Sequence, residues 1–193
     1  MSENLYPNIT KSFETTILQK IGDYPYPISP FAGVVKPIKP ELISEVIQAA
    51  SKEKIFTKAD LIITFESAGA QLAVMLGHAL NLPYLIARKK RFNLPNEISF
   101  NVATNFDEKN FYIYGDVINK KILIVDDVVA SGNTVRNAIL ALRNSGAEVL
   151  ALFAVAAKTN FVGKRYQDVL AEIAVPLISI VQIKVVDDKV IVF

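Results

Sequence analysis

The chain is predicted to fold as an α/β protein: a mostly parallel twisted sheet with helices on both faces, plus a small hood segment. Strand-sized apolar runs at 60–65, 84–87, 121–125 and 149–157 alternate with helical segments at 70–80, 135–144 and near 163–172. That alternation builds a parallel sheet. The runs at 121–125 and 149–157 are apolar on successive residues, as strands covered on both faces require. Composition agrees: 51% hydrophobic and 21% charged over 193 residues suits a single folded domain with a substantial core.

Taken in order, residues 10–21 alternate at helical spacing, with Phe13, Ile17 and Ile21 as the expected buried stripe. Pro25, Pro27 and Pro30 forbid a regular helix at 24–31, so an extended, rigid loop is expected. Pro40 and Glu41 open a helix over 40–52, with Leu42, Val46 and Ile47 facing inward. The strand at 60–65 leads through a turn at 66–69 into the 70–80 helix, which Asn81 and Pro83 stop before the 84–87 strand. Residues 98–103 and 110–115 form an antiparallel excursion, with Phe111 and Ile113 alternating with Tyr112 and Tyr114. After the 121–125 strand, the 135–144 helix ends at Ser145 and Gly146. The 149–157 strand, the helix near 163–172 and two short strands within 178–193 complete the chain.

Chemistry concentrates at 122–134. Asp126 and Asp127 stand at the carboxyl end of an apolar strand, where open α/β sheets bind ligands. Ala130, Ser131, Gly132, Asn133 and Thr134 then form a small-residue turn into a helix. Its backbone N–H groups, hydroxyls and helix N-terminus suit a phosphate. Carboxylates repel phosphate, so the two halves grip different parts of one ligand. A sugar phosphate fits, with hydroxyls on the acids and phosphate in the turn. The turn lacks the Gly-Lys-Ser/Thr of a nucleotide P-loop.

Two further segments lie at strand ends. Glu66, Ser67, Ala68 and Gly69 form either a plain turn capped by Ser67 or a second anion site built from backbone amides. Arg88, Lys89, Lys90 and Arg91 are either a solvated face or cations converging on a polyanion.

The 122–134 segment resembles the phosphoribosyl pyrophosphate (PRPP) signature of type I phosphoribosyltransferases: a hydrophobic strand, two acids, two mostly apolar residues and a small-Ser/Thr-Gly-x-Thr loop. The 88–91 run, followed by Leu94 and Pro95, is similar to the start of the mobile loop in adenine and archaeal hypoxanthine enzymes. Gly33, Val34 and Val35 are similar to the segment that covers the base in adenine-type members. The resemblance extends from about residue 24 to the C-terminus and makes residues 1–40 a hood within the single domain.

It implies transfer of ribose-5-phosphate from PRPP to N9 of a purine base, giving a purine nucleoside monophosphate and pyrophosphate in nucleotide salvage. It assigns the ribose hydroxyls and the charge developing on the sugar to Asp126 and Asp127, and the 5′-phosphate to residues 130–134. Pyrophosphate falls to Glu66, Ser67, Ala68, Gly69, Arg88, Lys89 and Lys90. Ala68 stands where adenine enzymes typically carry Arg, and the family often has a non-proline cis peptide in this turn. Val128 would pack on the purine, beneath Val34 and Val35. Mg²⁺ is the expected cofactor, carried by substrate oxygens and water with no dedicated protein cage. A homodimer is expected.

Within the resemblance, Ala130 favours adenine as acceptor, giving AMP, because hypoxanthine-guanine enzymes of the bacterial and animal type place Asp there. Lys158 is either a solvated strand-end lysine or a donor to a purine O6, which favours the alternative acceptors hypoxanthine and guanine. Phe106 aligns near an acid of the adenine enzymes, with Asp107 or Glu108 as substitutes acting on N7. A PRPP- or purine-sensing regulator without catalysis is the reading from another class, and orotate or another pyrimidine is a third acceptor.

A regulator would carry a DNA-binding module, for which residues 1–23 are too short. With 21 basic and 19 acidic side chains, net charge +2, no nucleic-acid partner is expected. No apolar run suits a membrane span. The absence of cysteine and of a secretory pattern agrees with a cytoplasmic location. His78, the single histidine, has no partner motif and is assigned no catalytic role.

Overall fold

A computed structural model describes residues 5–21, 24–103, 108–160 and 166–193. The chain opens with α1 (Pro7–Glu14), β1 (Leu18–Ile21), β2 (Tyr24–Pro27) and α2 (Pro40–Ser51). Next come β3 (Leu61–Phe65), α3 (Ala68–Leu80), β4 (Tyr84–Ala87), β5 (Glu97–Ala103) and β6 (Glu108–Tyr114). The remainder is β7 (Lys121–Val129), α4 (Asn133–Asn144), β8 (Glu148–Lys158), α5 (Tyr166–Ile173), β9 (Leu177–Val186) and β10 (Lys189–Val192).

Six strands form the central sheet in the order β10-β9-β8-β7-β3-β4. All neighbours are parallel except β10, which returns antiparallel to β9. Successive residues alternate between faces, as the pleat requires. Ile62, Leu123 and Phe153 join Ile9, Phe13, Val46 and Leu72 from α1, α2 and α3. Ile63, Ile124 and Leu152 join Ile139 and Leu142 of α4, Leu170 of α5, and Phe100 and Phe111 of the β5–β6 hairpin. Each fully buried Ile or Leu is worth ~1.5–3 kcal/mol, so this double coverage holds the layers together. The N-terminal layer is also tied by a buried carboxylate. Glu45 of α2 accepts from the backbone N–H groups of Asn8 and Ile9 at 3.0 and 2.8 Å, satisfying the first turn of α1.

Three elements differ from the sequence expectation. The helix expected over 10–21 ends at Glu14, and residues 18–21 pair antiparallel with 24–27. Phe13 is buried as expected, Ile9 shares its core, and Ile17 is 49% exposed. The β-branched run Thr15, Thr16 and Ile17 weakens the helix there and favours extension. The 24–31 segment is extended as expected at its start, and β2 is paired rather than loose. A two-stranded ribbon has an open edge that tolerates Pro25 and Pro27. Finally, β7 runs on to Val129, because β8 continues alongside it as far as the Val129–Ala157 pairing. Asp126 and Asp127 therefore lie within the strand.

A candidate phosphoribosyl-transfer site at the carboxyl ends of the strands

A cleft of about 540 Å³ opens over the carboxyl ends of β3 and β7, with the N-termini of α3 and α4 at its sides and the β1–β2 ribbon above it. Asp126, Asp127, Val128, Val129, Ala130, Ser131, Gly132 and Thr134 all line it, as do Glu66, Ser67, Ala68 and Gly69. Two turns separated by more than fifty residues of sequence thus share one cavity, because β3 and β7 are parallel neighbours in register, Thr64 beside Val125.

The acids are held locally. Asp126 Oδ1 accepts from the Asp127 backbone N–H at 2.9 Å. The Asp126 carboxyl is pushed well above the usual carboxylate range, first by burial and then by the charge of Asp127. Next to them, the Thr64 hydroxyl donates to the Val125 carbonyl at 2.8 Å in the buried interior. Gly69 packs directly onto this pair. A Cβ there would overlap the Thr64 hydroxyl and come within 3.4 Å of Asp126 Oδ1. Thr64 cannot yield without losing its bond to Val125. We therefore expect Gly69→Ala to destabilise the fold by ~1–3 kcal/mol in denaturant melts. An unchanged melt would mean that the turn has slack.

The phosphate turn is shaped by Gly132, whose φ of 80° lies in the left-handed region that favours glycine. Ser131 Oγ accepts from the Asn133 N–H at 3.3 Å. Asn133 is outside the cleft lining, while Ser131 and Thr134 belong to it. In the other turn the Glu66–Ser67 peptide is cis. Ser67 makes no capping bond to α3, so the plain capped turn does not describe it.

Of the four cations at 88–91, Lys89 alone lines the cleft. Arg88 lies 4.0 Å from Glu66 and forms a backbone bridge to Tyr112. Lys90 stands over the Phe92 ring at 5.7 Å. Arg91 is drawn to Glu97, with Nη2 2.8 Å from Oε1. The hydrogen bond and charge of Glu97 raise the Arg91 pKa, and Arg91 in turn lowers that of Glu97. Convergence of the whole run on one anion is thus not what the structure displays. The two end arginines instead anchor the segment to Glu66 and to the β5–β6 hairpin.

The hood divides as well. Val34, 77% exposed, lines the cleft together with Tyr26, Ile28 and Ala32, whereas Val35 faces a separate cavity. Lys158 is 2% exposed, which overturns the solvated strand-end reading. Its Nζ donates to the Pro25 carbonyl of β2 at 3.4 Å, and burial lowers its pKa to about 8. It lies behind the cleft wall and outside the lining. Phe106 and Asp107 fall outside the described residues, as does the Glu108 side chain.

Sequence reasoning missed Lys109 and Gln19, which both line the cleft. The register of the hairpin, with Lys109 opposite Val102, brings Lys109 there. Among the described residues no group of three or more His, Cys, Asp or Glu side chains could hold a metal ion, and no helix is long and apolar enough to cross a membrane.

Known proteins share these features. The phosphoribosyl transferase domain family matches residues 38–187. A hypoxanthine/guanine phosphoribosyltransferase of Methanothermus fervidus is 30% identical over 182 residues, 94% of each chain. Another, of Methanocella arvoryzae, is 33% identical over 152 residues, 79% of each chain. An adenine phosphoribosyltransferase structure from Thermoanaerobacter pseudethanolicus has a TM-score of 0.71 at 19% identity, covering 90% of this chain and 97% of that one. At that identity the likeness speaks to fold alone.

Proposed function

We propose a 6-oxopurine, hypoxanthine or guanine, as the acceptor of this enzyme, and the premise is its family: the chain belongs to the phosphoribosyl transferase family and is a purine phosphoribosyltransferase. Its reaction transfers the ribose-5-phosphate unit of PRPP to a purine and releases pyrophosphate. In the proposed course N9 attacks C1′ as the bond from C1′ to the pyrophosphate oxygen breaks, and positive charge gathers on the ribose ring. Asp126 and Asp127 hold the ribose hydroxyls and stabilise that charge from a site already partly withdrawn from water. The 130–134 turn takes the 5′-phosphate and so fixes C1′ for attack.

The 66–69 turn and Lys89 receive the pyrophosphate, with Lys109 near enough in the same cleft to assist. Val128 supports the base from one side, and Tyr26 and Val34 cover it from the other. Mg²⁺, entering with PRPP, would be held mainly by substrate oxygens and water and would supply positive charge against the pyrophosphate, while Asp126 and Asp127 line the same cleft. Closure of the loop that begins with the 88–91 run, as the family resemblance implies, would keep water from intercepting the sugar cation.

The choice of acceptor rests on Lys158. It is a buried cation on the strand beside Val128, and its Nζ is tied to the hood through the Pro25 carbonyl of β2. Lys158 is outside the cleft lining, so this reading requires its side chain to swing from Pro25 toward the base. There a purine O6 would accept from the ammonium and the exocyclic amine of adenine would not. The names of the two archaeal relatives lend support. Adenine is the second reading, favoured by Ala130, which offers N7 neither donor nor acceptor.

Steady-state assays with PRPP, Mg²⁺ and each base decide between them. The expected kcat/KM for hypoxanthine or guanine exceeds that for adenine by at least ~10-fold, the worth of one charged hydrogen bond. The reverse order would overturn the acceptor and leave the reaction class intact. Binding of PRPP without pyrophosphate release from any base would instead favour a sensing protein.

A further inference from the structure

A second cavity, of about 350 Å³, lies behind the β1–β2 ribbon, between α1 and the start of α2. Lys11 of α1 and Lys36 and Lys39 of the loop that leads into α2 line it, against the single carboxylate of Glu41. Lys36 Nζ donates to the Thr15 carbonyl at 3.0 Å, which fixes one ammonium at the cavity edge. Lys11 and Lys39 have no ion pair among the described residues. The remaining wall mixes polar side chains, Asn8, Ser12, Thr15 and Thr16 among them, with the apolar Ile17, Val35 and Leu42. Ile17 and Val35 are 49% and 44% exposed, so two large apolar side chains border the cations without covering one another. Lysines, hydroxyls and exposed apolar side chains lining one cavity suit a molecule that carries both a phosphate and a ring. The volume lies at the lower end of small-molecule sites.

This cavity shares a wall with the cleft: Ile28 and Ser29 line both. That wall is fastened to the cavity's own rim, since the Ile28 N–H donates to the Ile17 carbonyl at 2.9 Å and the Thr16 hydroxyl donates to the Ile28 carbonyl. A ligand that orders residues 15–17 therefore orders Ile28 and its neighbour Ser29, which line the cleft together with Tyr26 and Val34.

We propose that the cavity behind the β1–β2 ribbon is a second ligand site, for a phosphorylated molecule of mononucleotide size, which adjusts base binding through the shared Ile28 and Ser29 wall. Binding at the cavity stands on its own geometry; the effect on the base rests on reading the main cleft as the base site. Coupling of this kind is reciprocal: a ligand that tightens the base is itself tightened by it.

The test uses ¹⁵N-labelled full-length protein with saturating PRPP and Mg²⁺, which occupies the phosphate turn of the main cleft. AMP, GMP, IMP, CMP and UMP are titrated separately, with inorganic phosphate as a sixth probe. At least one nucleotide is expected to shift the amides of Thr15, Lys36 and Glu41 saturably while leaving Ser131 and Thr134 unchanged. In Lys11→Ala/Lys39→Ala the midpoint rises by at least ~10-fold. The same nucleotide changes KM for the base in the wild type and not in the double variant, whose basal turnover is retained.

Saturable shifts with inorganic phosphate alone would overturn the mononucleotide class. Absence of shifts with every probe, or equal midpoints in both proteins, would overturn the site. Saturable binding with no change in KM would overturn the coupling and leave the site. None of these outcomes depends on which purine is preferred.

Discussion

Asp126→Asn and Asp127→Asn are each expected to lower kcat/KM by ~10²–10³-fold, the scale of removing one group aimed at charge that develops in the transition state. Asp126→Asn should also make the unliganded protein more stable at neutral pH. The Asp126 carboxyl is held well above its ordinary range, by burial first and by Asp127 second. A carboxyl whose folded pKa is raised binds its proton more tightly in the fold than in the unfolded chain. The stability it contributes is fully present below the unfolded value, about 3.9, and is lost as pH rises through the folded value. At pH 7 the wild type carries that loss, and the Asn variant does not.

Thermal melts at pH 4 and pH 7 check this. The variant's advantage should appear at pH 7, with a shift on the order of a few degrees, and shrink at pH 4. A variant that melts below wild type at pH 7, or keeps near-wild-type turnover, would show that the pair serves the fold. The same linkage predicts that Mg²⁺–PRPP, bringing cations and hydroxyls to the acids, binds more tightly as pH rises through the Asp126 pKa and releases a proton when it binds.

This coupling of instability to function was partly legible in the sequence. Two adjacent carboxylates at the end of an apolar strand, followed by Ser131, Gly132 and Thr134, carry their chemistry in contiguous residues, so no tertiary knowledge is needed to find them. The sheet was legible for a similar reason. Buried parallel strands are apolar on every residue, and Ile122, Leu123, Ile124 and Val125 announce one. Interactions made at a distance were not legible. Nothing in the 88–91 run indicates that Arg91 will turn to Glu97, or that Lys89 alone will line the cleft. Lys109 reaches the cleft only because a hairpin register sets it opposite Val102.

The N-terminal ribbon was misread because helical spacing and strand propensity compete over 15–21, and pairing with β2 decided the outcome. The sequence expectation places both hood valines over the base, and the structure separates them. Val34 and Val35 are neighbours in sequence, yet the chain bends at 34–36, so that one lines the cleft and the other the cavity behind it.

Lys158→Met is expected to lower kcat/KM for hypoxanthine and guanine by ~10–100-fold while changing that for adenine by less than ~3-fold, because only the oxopurines lose a charged donor. A lysine that merely tied the hood to β8 through Pro25 would reduce all three bases together, so the ratio separates recognition from scaffolding. The pH profile supplies a second reading. Burial depresses the Lys158 pKa to about 8, so the charged donor is present below that value and disappears as pH rises through it. Oxopurine turnover should fall across that interval in the wild type. In Lys158→Arg, whose guanidinium stays charged, any fall that remains belongs to another group, and the difference between the two profiles isolates Lys158.

Stability runs in the opposite direction. The fold disfavours the ammonium relative to the unfolded chain, so the protein should gain stability as pH rises from about 8 toward the ordinary lysine value near ~10.4. Lys158→Met should abolish that gain. A wild-type melt that falls steadily over the same interval, together with an unchanged hypoxanthine-to-adenine ratio in Lys158→Met, would remove Lys158 from base selection and leave Ala130, with its preference for adenine, as the deciding position.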